Sequence, residues 1–281
     1  MGIKFMEQQI QSQIPGYTIS EVLLEDFLGV LYRARNDATN GDVYLRVLPG
    51  WVVAIDECND RFTVDINLGS ILKHVNISSI ITGGVHEGCP YYIYDKSEGY
   101  TVADWVKRKQ RLAEGDSLAV IEMAACGLNY ASNVFKISHG GINPDNLHIA
   151  ADGNIKISEF FSFVPLTLAR IDVAFGSRLN FVAPEILGGM AVATPASDMF
   201  SFGASLFYMT TGQLPFGSGS DDELKDQVIN YEKDPADFNS DISAPTRSLI
   251  KRLMAKKPSD RFTKVRDGLD AIRSVMAGKT V

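Results

Sequence analysis

Ser138-His139-Gly140-Gly141-Ile142-Asn143-Pro144-Asp145-Asn146-Leu147 is a polar loop, broken by glycine and proline, that separates two patterned stretches. Upstream, Leu118, Ile121, Ala125 and Leu128 recur at helical spacing, which predicts a long helix running towards Phe135. Downstream, Leu147 to Ala150 and Ile155 to Ser158 flank Asp152-Gly153, the pattern of a short β-hairpin. A His-Gly-Gly turn before a short strand is by itself an ordinary loop, so its meaning depends on its flanks.

The chain of 281 residues is long enough for one large or two modest domains, and 45% hydrophobic with 22% charged residues is ordinary globular composition. A formal net charge of -7 argues against a broad electrostatic footprint for nucleic acid or anionic lipid, and neither partner is expected. Cys58, Cys89 and Cys126 are odd in number and widely spaced, which suggests reduced thiols rather than a disulfide framework or a zinc site. No apolar run is read as a membrane span and no signal peptide is apparent, so a cytoplasmic location is expected, with the chain either whole or the soluble part of a longer protein.

The quoted loop resembles the catalytic loop of protein kinases, His-Arg-Asp, four residues, then Asn. His139 and Asn146 stand at its two ends, Gly140 replaces the Arg, Gly141 the catalytic Asp, and Asn143 the Lys before the Pro. The flanking segments occur in kinase order. After a Gln-rich lead of residues 1–16, alternating apolar residues predict strands at Tyr17 to Leu24 and Val30 to Arg35, with a hairpin turn at Asn40-Gly41. Aligned on Leu31-Tyr32, the three glycines of the kinase phosphate loop fall on Leu24, Asp26 and Gly29. A Leu and an Asp there add bulk and negative charge where a triphosphate would lie.

Val43-Tyr44-Leu45-Arg46-Val47 resembles the strand that carries the kinase Lys, with Arg46 on the Lys and Tyr44 where a small residue covers adenine. A helix expected over Asp60 to Lys73 is similar to the regulatory helix and places Asp65 where a Glu pairs with that cation. Tyr94 would guard the back of the nucleotide pocket, residues 95–100 would be the hinge, and Thr101 to Asp104 has capping-box spacing. After the loop, His148 falls on the aliphatic floor under the base, and Glu159-Phe160 replaces Asp-Phe of the metal motif. Glu159 and Asn146 are therefore weak metal candidates. Ala183-Pro184-Glu185, the helix from Asp198 through Gly203, and Arg261 resemble scaffold motifs. In the family the Asp holds the catalytic-loop backbone, and the Arg pairs with the Glu.

The resemblance implies an α+β, two-lobed protein-kinase-like fold. A small, mostly antiparallel β lobe with one regulatory helix occupies about 17–94, and a larger, mostly α lobe about 101–281, within a single domain 17–281. His139, Phe160, Glu185, Asp198, Gly203 and Arg261 are assigned to the scaffold. The replacements at Leu24, Asp26, Arg46, Gly141, Asn143 and Glu159, with Tyr44 and His148 as obstacles, lead to the expectation of a pseudokinase that is not an enzyme and takes no cofactor, ATP or metal. It would serve as a signalling scaffold for an active kinase, a phosphopeptide-binding domain or another signalling protein, with self-association open. A cleft reused for another nucleotide-dependent transfer is the alternative, and a kinase whose base has migrated to Asp145 is a third reading. Thr167 and Ser177 offer hydroxyls for modification.

Overall fold

The computed structural model describes residues 14–26, 29–95, 99–160, 175–190, 192–231 and 241–280. They form two compact units, one of residues 14–73 and 78–95, the other of residues 74–77 and those from 99 onward. Residues 1–13 of the lead, 96–98 of the expected hinge, and 161–174 with Thr167 lie outside the described residues.

The smaller unit is an antiparallel sheet in the order β1 (Tyr17–Asp26), β2 (Gly29–Asn36), β3 (Asp42–Val47), β5 (Cys89–Asp95), β4 (Ile80–His86). Strand alternation puts Tyr32, Ala34, Val43, Leu45, Val47 and Ile93 on one face, where they form an apolar cluster with Ile14 from the lead. The intervening residues, among them Arg33, Tyr44, Arg46, Tyr92 and Tyr94, occupy the opposite face. Asn40 adopts the left-handed conformation, φ 56°, in the turn expected from Asn40-Gly41. Helix α1 (Trp51–Ala54) leads through Ile55 into α2 (Asp56–Ile71), which starts four residues earlier than its apolar stripe predicts. The extended backbone at Ile55, not the stripe, sets that start.

The larger unit holds a second antiparallel sheet, β6 (Gly99–Thr101), β7 (Leu147–Ala150) and β8 (Ile155–Ile157). Its helices are α3 (Val102–Lys109), α4 (Glu114–Tyr130, continued by a π turn to Phe135), α5 (Pro184–Leu187), α6 (Pro195–Thr211), α7 (Asp221–Asn230), α8 (Ala244–Leu253) and α9 (Val265–Met276). Reciprocal capping boxes start α3 at Thr101, α6 at Thr194 and α7 at Ser220. Helix α6 is buried on nearly every side, with Ser197, Asp198, Ser201, Ser205 and Thr210 buried among its apolar residues. Gly203 lets α8 approach, because a Cβ there would lie 2.6 Å from that of Leu253. The expectation that no stretch could span a membrane is corrected, since Glu114–Phe135 is long and apolar enough by length and composition. Its Leu118, Ile121, Ala124 and Leu128 are core residues of this unit.

Candidate functional site

In the smaller unit, Arg46 is fully buried on β3 and its Nη2 donates to the Asp26 carboxylate at the end of β1. Asp26 pairs with Gly29 across the β1–β2 hairpin. Gly29 has φ +92°, and a Cβ there would stand 2.1 Å from the Val47 carbonyl oxygen, so the backbone of β2 rests directly on β3 at that point. Leu24, half-buried, pairs with Leu31. Tyr44 is buried opposite Tyr94 with ring centroids 5.5 Å apart, and Tyr94 stacks on Tyr92 at 5.7 Å. Asp65 is buried on α2.

In the larger unit, the loop 138–147 is built around buried polar bonds. Asp198 accepts from the backbone N–H groups of His139 at 2.8 Å and Gly140 at 2.9 Å. Burial pushes its carboxyl up to about 7, against the pull of those donors. The Gly141 N–H reaches His139 Nδ1 at 3.2 Å, so that nitrogen is the acceptor and Nε2–H donates to the Ser158 carbonyl at 2.9 Å. His139 is thus a neutral imidazole, held down to about 4 by burial, with the Phe160 ring 4.6 Å away.

Asn143 and Asn146 both donate to the Gly141 carbonyl, at 2.9 and 2.8 Å, and Asn146 Oδ1 accepts from the Asn143 N–H. Their amides therefore stitch the loop together. Asp145 raises the pKa of the Tyr208 phenol on α6, behind burial as the larger cause. His148 sits on β7 opposite Thr101, with Nε2 2.8 Å from Ser158 Oγ, and burial lowers it to about 4 although Asp104 pulls the other way. Glu159 has a left-handed backbone, φ 64°, and a side chain only 5% exposed, with Arg178 Nη1 3.9 Å from its carboxylate. Arg261 makes a two-pronged bond to Glu185, 2.8 Å on each arm, and also donates to the carbonyls of Ala255, Ala196 and Lys256.

Sequence reasoning placed Asp26 in a phosphate loop but did not foresee it on Arg46. It also missed Ser158, which serves both histidines, and Arg178, which faces Glu159. No spacing rule signals these contacts. The donors do not fit a magnesium–nucleotide as they stand. Among the described residues no three His, Cys, Asp or Glu side chains gather to hold a metal ion, the Asn146 amide is engaged by its own loop, and Glu159 faces Arg178.

The sequence profile of the protein kinase domain matches residues 27–274. This chain belongs to the protein kinase domain family. It is 27% identical over 283 residues to a serine/threonine-protein kinase, drp72, of Corynebacterium efficiens, covering 96% of this chain and 52% of that one. With PknA of Corynebacterium glutamicum it shares 32% over 199 residues, 69% of this chain and 41% of the relative. With PrkC of Bacillus subtilis it shares 26% over 255 residues, 89% and 39% respectively. The chain thus spans about half the length, or less, of these curated relatives. The crystal structure of the Mycobacterium tuberculosis PknI kinase domain superposes with a TM-score of 0.75 at 22% identity, covering 94% of this chain and 97% of that one. The fold is the protein-kinase fold, as the order of motifs implied.

These relatives correct the functional expectation. A pseudokinase that is not an enzyme, serving as a scaffold, was expected from replaced residues. The kinase-domain match and relatives that carry the name of serine/threonine-protein kinases point to an enzyme instead. A replaced motif residue records a change of side chain, not a loss of activity.

Proposed function

We propose that this domain is a serine/threonine-type protein kinase, transferring the terminal phosphoryl group of ATP to a protein hydroxyl. The observation that carries the reading is the protein kinase domain match across residues 27–274, with relatives named for that activity. The partner is then a protein bearing Ser or Thr, and the domain works in the cytoplasm, where ATP is supplied. The loop 138–147, fixed by Asp198, is the element that would meet the substrate hydroxyl. No step is assigned to a metal, because among the described residues no three His, Cys, Asp or Glu side chains gather to hold one.

Kinases turn over at roughly 1–100 per second. With Gly141 in the loop no side chain accepts the hydroxyl proton at that position, and a positioned base contributes about 10²- to 10⁴-fold. The expected turnover is therefore about 10⁻⁴ to 1 per second. Incubation with magnesium and radiolabelled ATP, alone and with Ser/Thr-rich protein substrates, followed by phosphosite mass spectrometry, tests this. Incorporation on Ser or Thr that rises in Gly141→Asp supports the reading. No incorporation above a heat-denatured control overturns it.

A further inference from the structure

We propose that Asp26 is an internal competitor for Arg46, occupying the place of a polyphosphate oxyanion and holding the β1–β2 hairpin closed on β3; the identity of that anion rests on the kinase reading. The guanidinium of Arg46 is wholly buried, and a buried cation needs an anion beside it. A planar guanidinium fork accepts a carboxylate or a phosphate in the same geometry. In this structure the chain's own Asp26 supplies such an anion.

Three observations make the contact exchangeable. The Asp26 side chain is 13% exposed while that of Arg46 is 0% exposed, so the aspartate is the less deeply buried member of the pair. Strand β1 is at the sheet edge, with half of its residues exposed and none fully buried, and its pairing with β2 is interrupted by register shifts at Ile19/Glu21 and Val22/Leu24. Strand β2, by contrast, is anchored where Gly29 rests on the Val47 carbonyl. Release of Asp26 therefore needs movement of the end of an edge strand, while β2 and β3 keep Arg46 in place.

The probe is tripolyphosphate, which has the charge of a nucleotide tail but no base, so the buried Tyr44 does not influence the result. Its affinity is measured by calorimetry for the parent, Asp26→Asn, Asp26→Ser and the double variant Asp26→Asn/Arg46→Met. Removing the competitor should tighten binding by about 5- to 150-fold, the usual range of coupling between two sites, and the double variant should lose the gain. Equal affinity in parent and single variants, or a gain that persists without Arg46, overturns the proposal. If neither single variant melts cooperatively, the melts are repeated with tripolyphosphate present. A restored cooperative melt supports the proposal, and no restoration overturns it. A gain in binding without phosphoryl transfer sinks the kinase reading alone, and transfer without the gain sinks this one alone.

Discussion

His139 and His148 titrate against the interior of the larger unit. Both are pushed by burial from 6.5 down to about 4, so the native state binds fewer protons than the unfolded chain between those values. Their contribution is present above pH 6.5 and is lost as the pH falls to about 4, at roughly 1.4 kcal/mol per pH unit each. Asp198 acts in the opposite sense. Its carboxyl is raised by burial from 3.8 to about 7, so the fold favours the protonated acid and gains stability as the pH falls through that window. Among these three groups, two losses against one gain leave a net loss of about 1.4 kcal/mol per unit between pH 6.5 and about 4, and His74, lowered by burial as well, adds to the loss. Urea midpoints across that range should therefore fall with pH in the parent, fall more steeply in Asp198→Asn, and fall less steeply in His148→Gln. A parent midpoint that does not fall would show that the buried imidazoles stay charged.

The short helix α5 is held to the rest of its unit through the Glu185–Arg261 pair and the three carbonyls that Arg261 also reaches. Because the guanidinium is wholly buried, Arg261→Ala leaves Glu185 and three carbonyls without their donor, a loss of about 3–5 kcal/mol. Arg261→Lys should recover little of it, since an ammonium cannot span the two-pronged geometry. A denaturant midpoint for the lysine variant close to the parent's would refute that. Gly203→Ala should cost about 1–3 kcal/mol by overpacking α6 against α8, measured in the same way. These elements were legible in the sequence because each is marked locally. Thr101 and Asp104 write a capping box, Asp152-Gly153 writes a turn, and the apolar run after Asp198 writes a buried helix. The start of α2 was not, because the extended residue that sets it belongs to no apolar pattern.

At the scale of the molecule, the order of motifs revealed the fold, whereas the candidate site was only half legible. Alignment to a motif supplies positions, such as Arg46, Asn146 or Glu159, but the partner each finds depends on three-dimensional register. Two shifts in the β1–β2 pairing precede Asp26 on its way to Arg46, and Glu159 meets Arg178 only because its backbone turns left-handed. The distribution of the shifted groups has a consequence for how acid opens the chain. His139, His148 and Asp198 all belong to the larger unit. In the smaller unit the resolved shifts include Tyr32, Cys89 and Tyr91, all raised, and these groups titrate far above neutrality. Lowering the pH from 6.5 to about 4 therefore bears on the larger unit by a net of about 3 kcal/mol from these three groups, near a hundredfold in opening equilibrium, with His74, lowered by burial, acting in the same sense. Hydrogen exchange corrected for intrinsic rate should show protection falling about a hundredfold in α4 and α6 while β2 and β3 change little. An equal fall in both sets of amides would mean that the two units open as one, and that the histidines govern the whole chain rather than their own core.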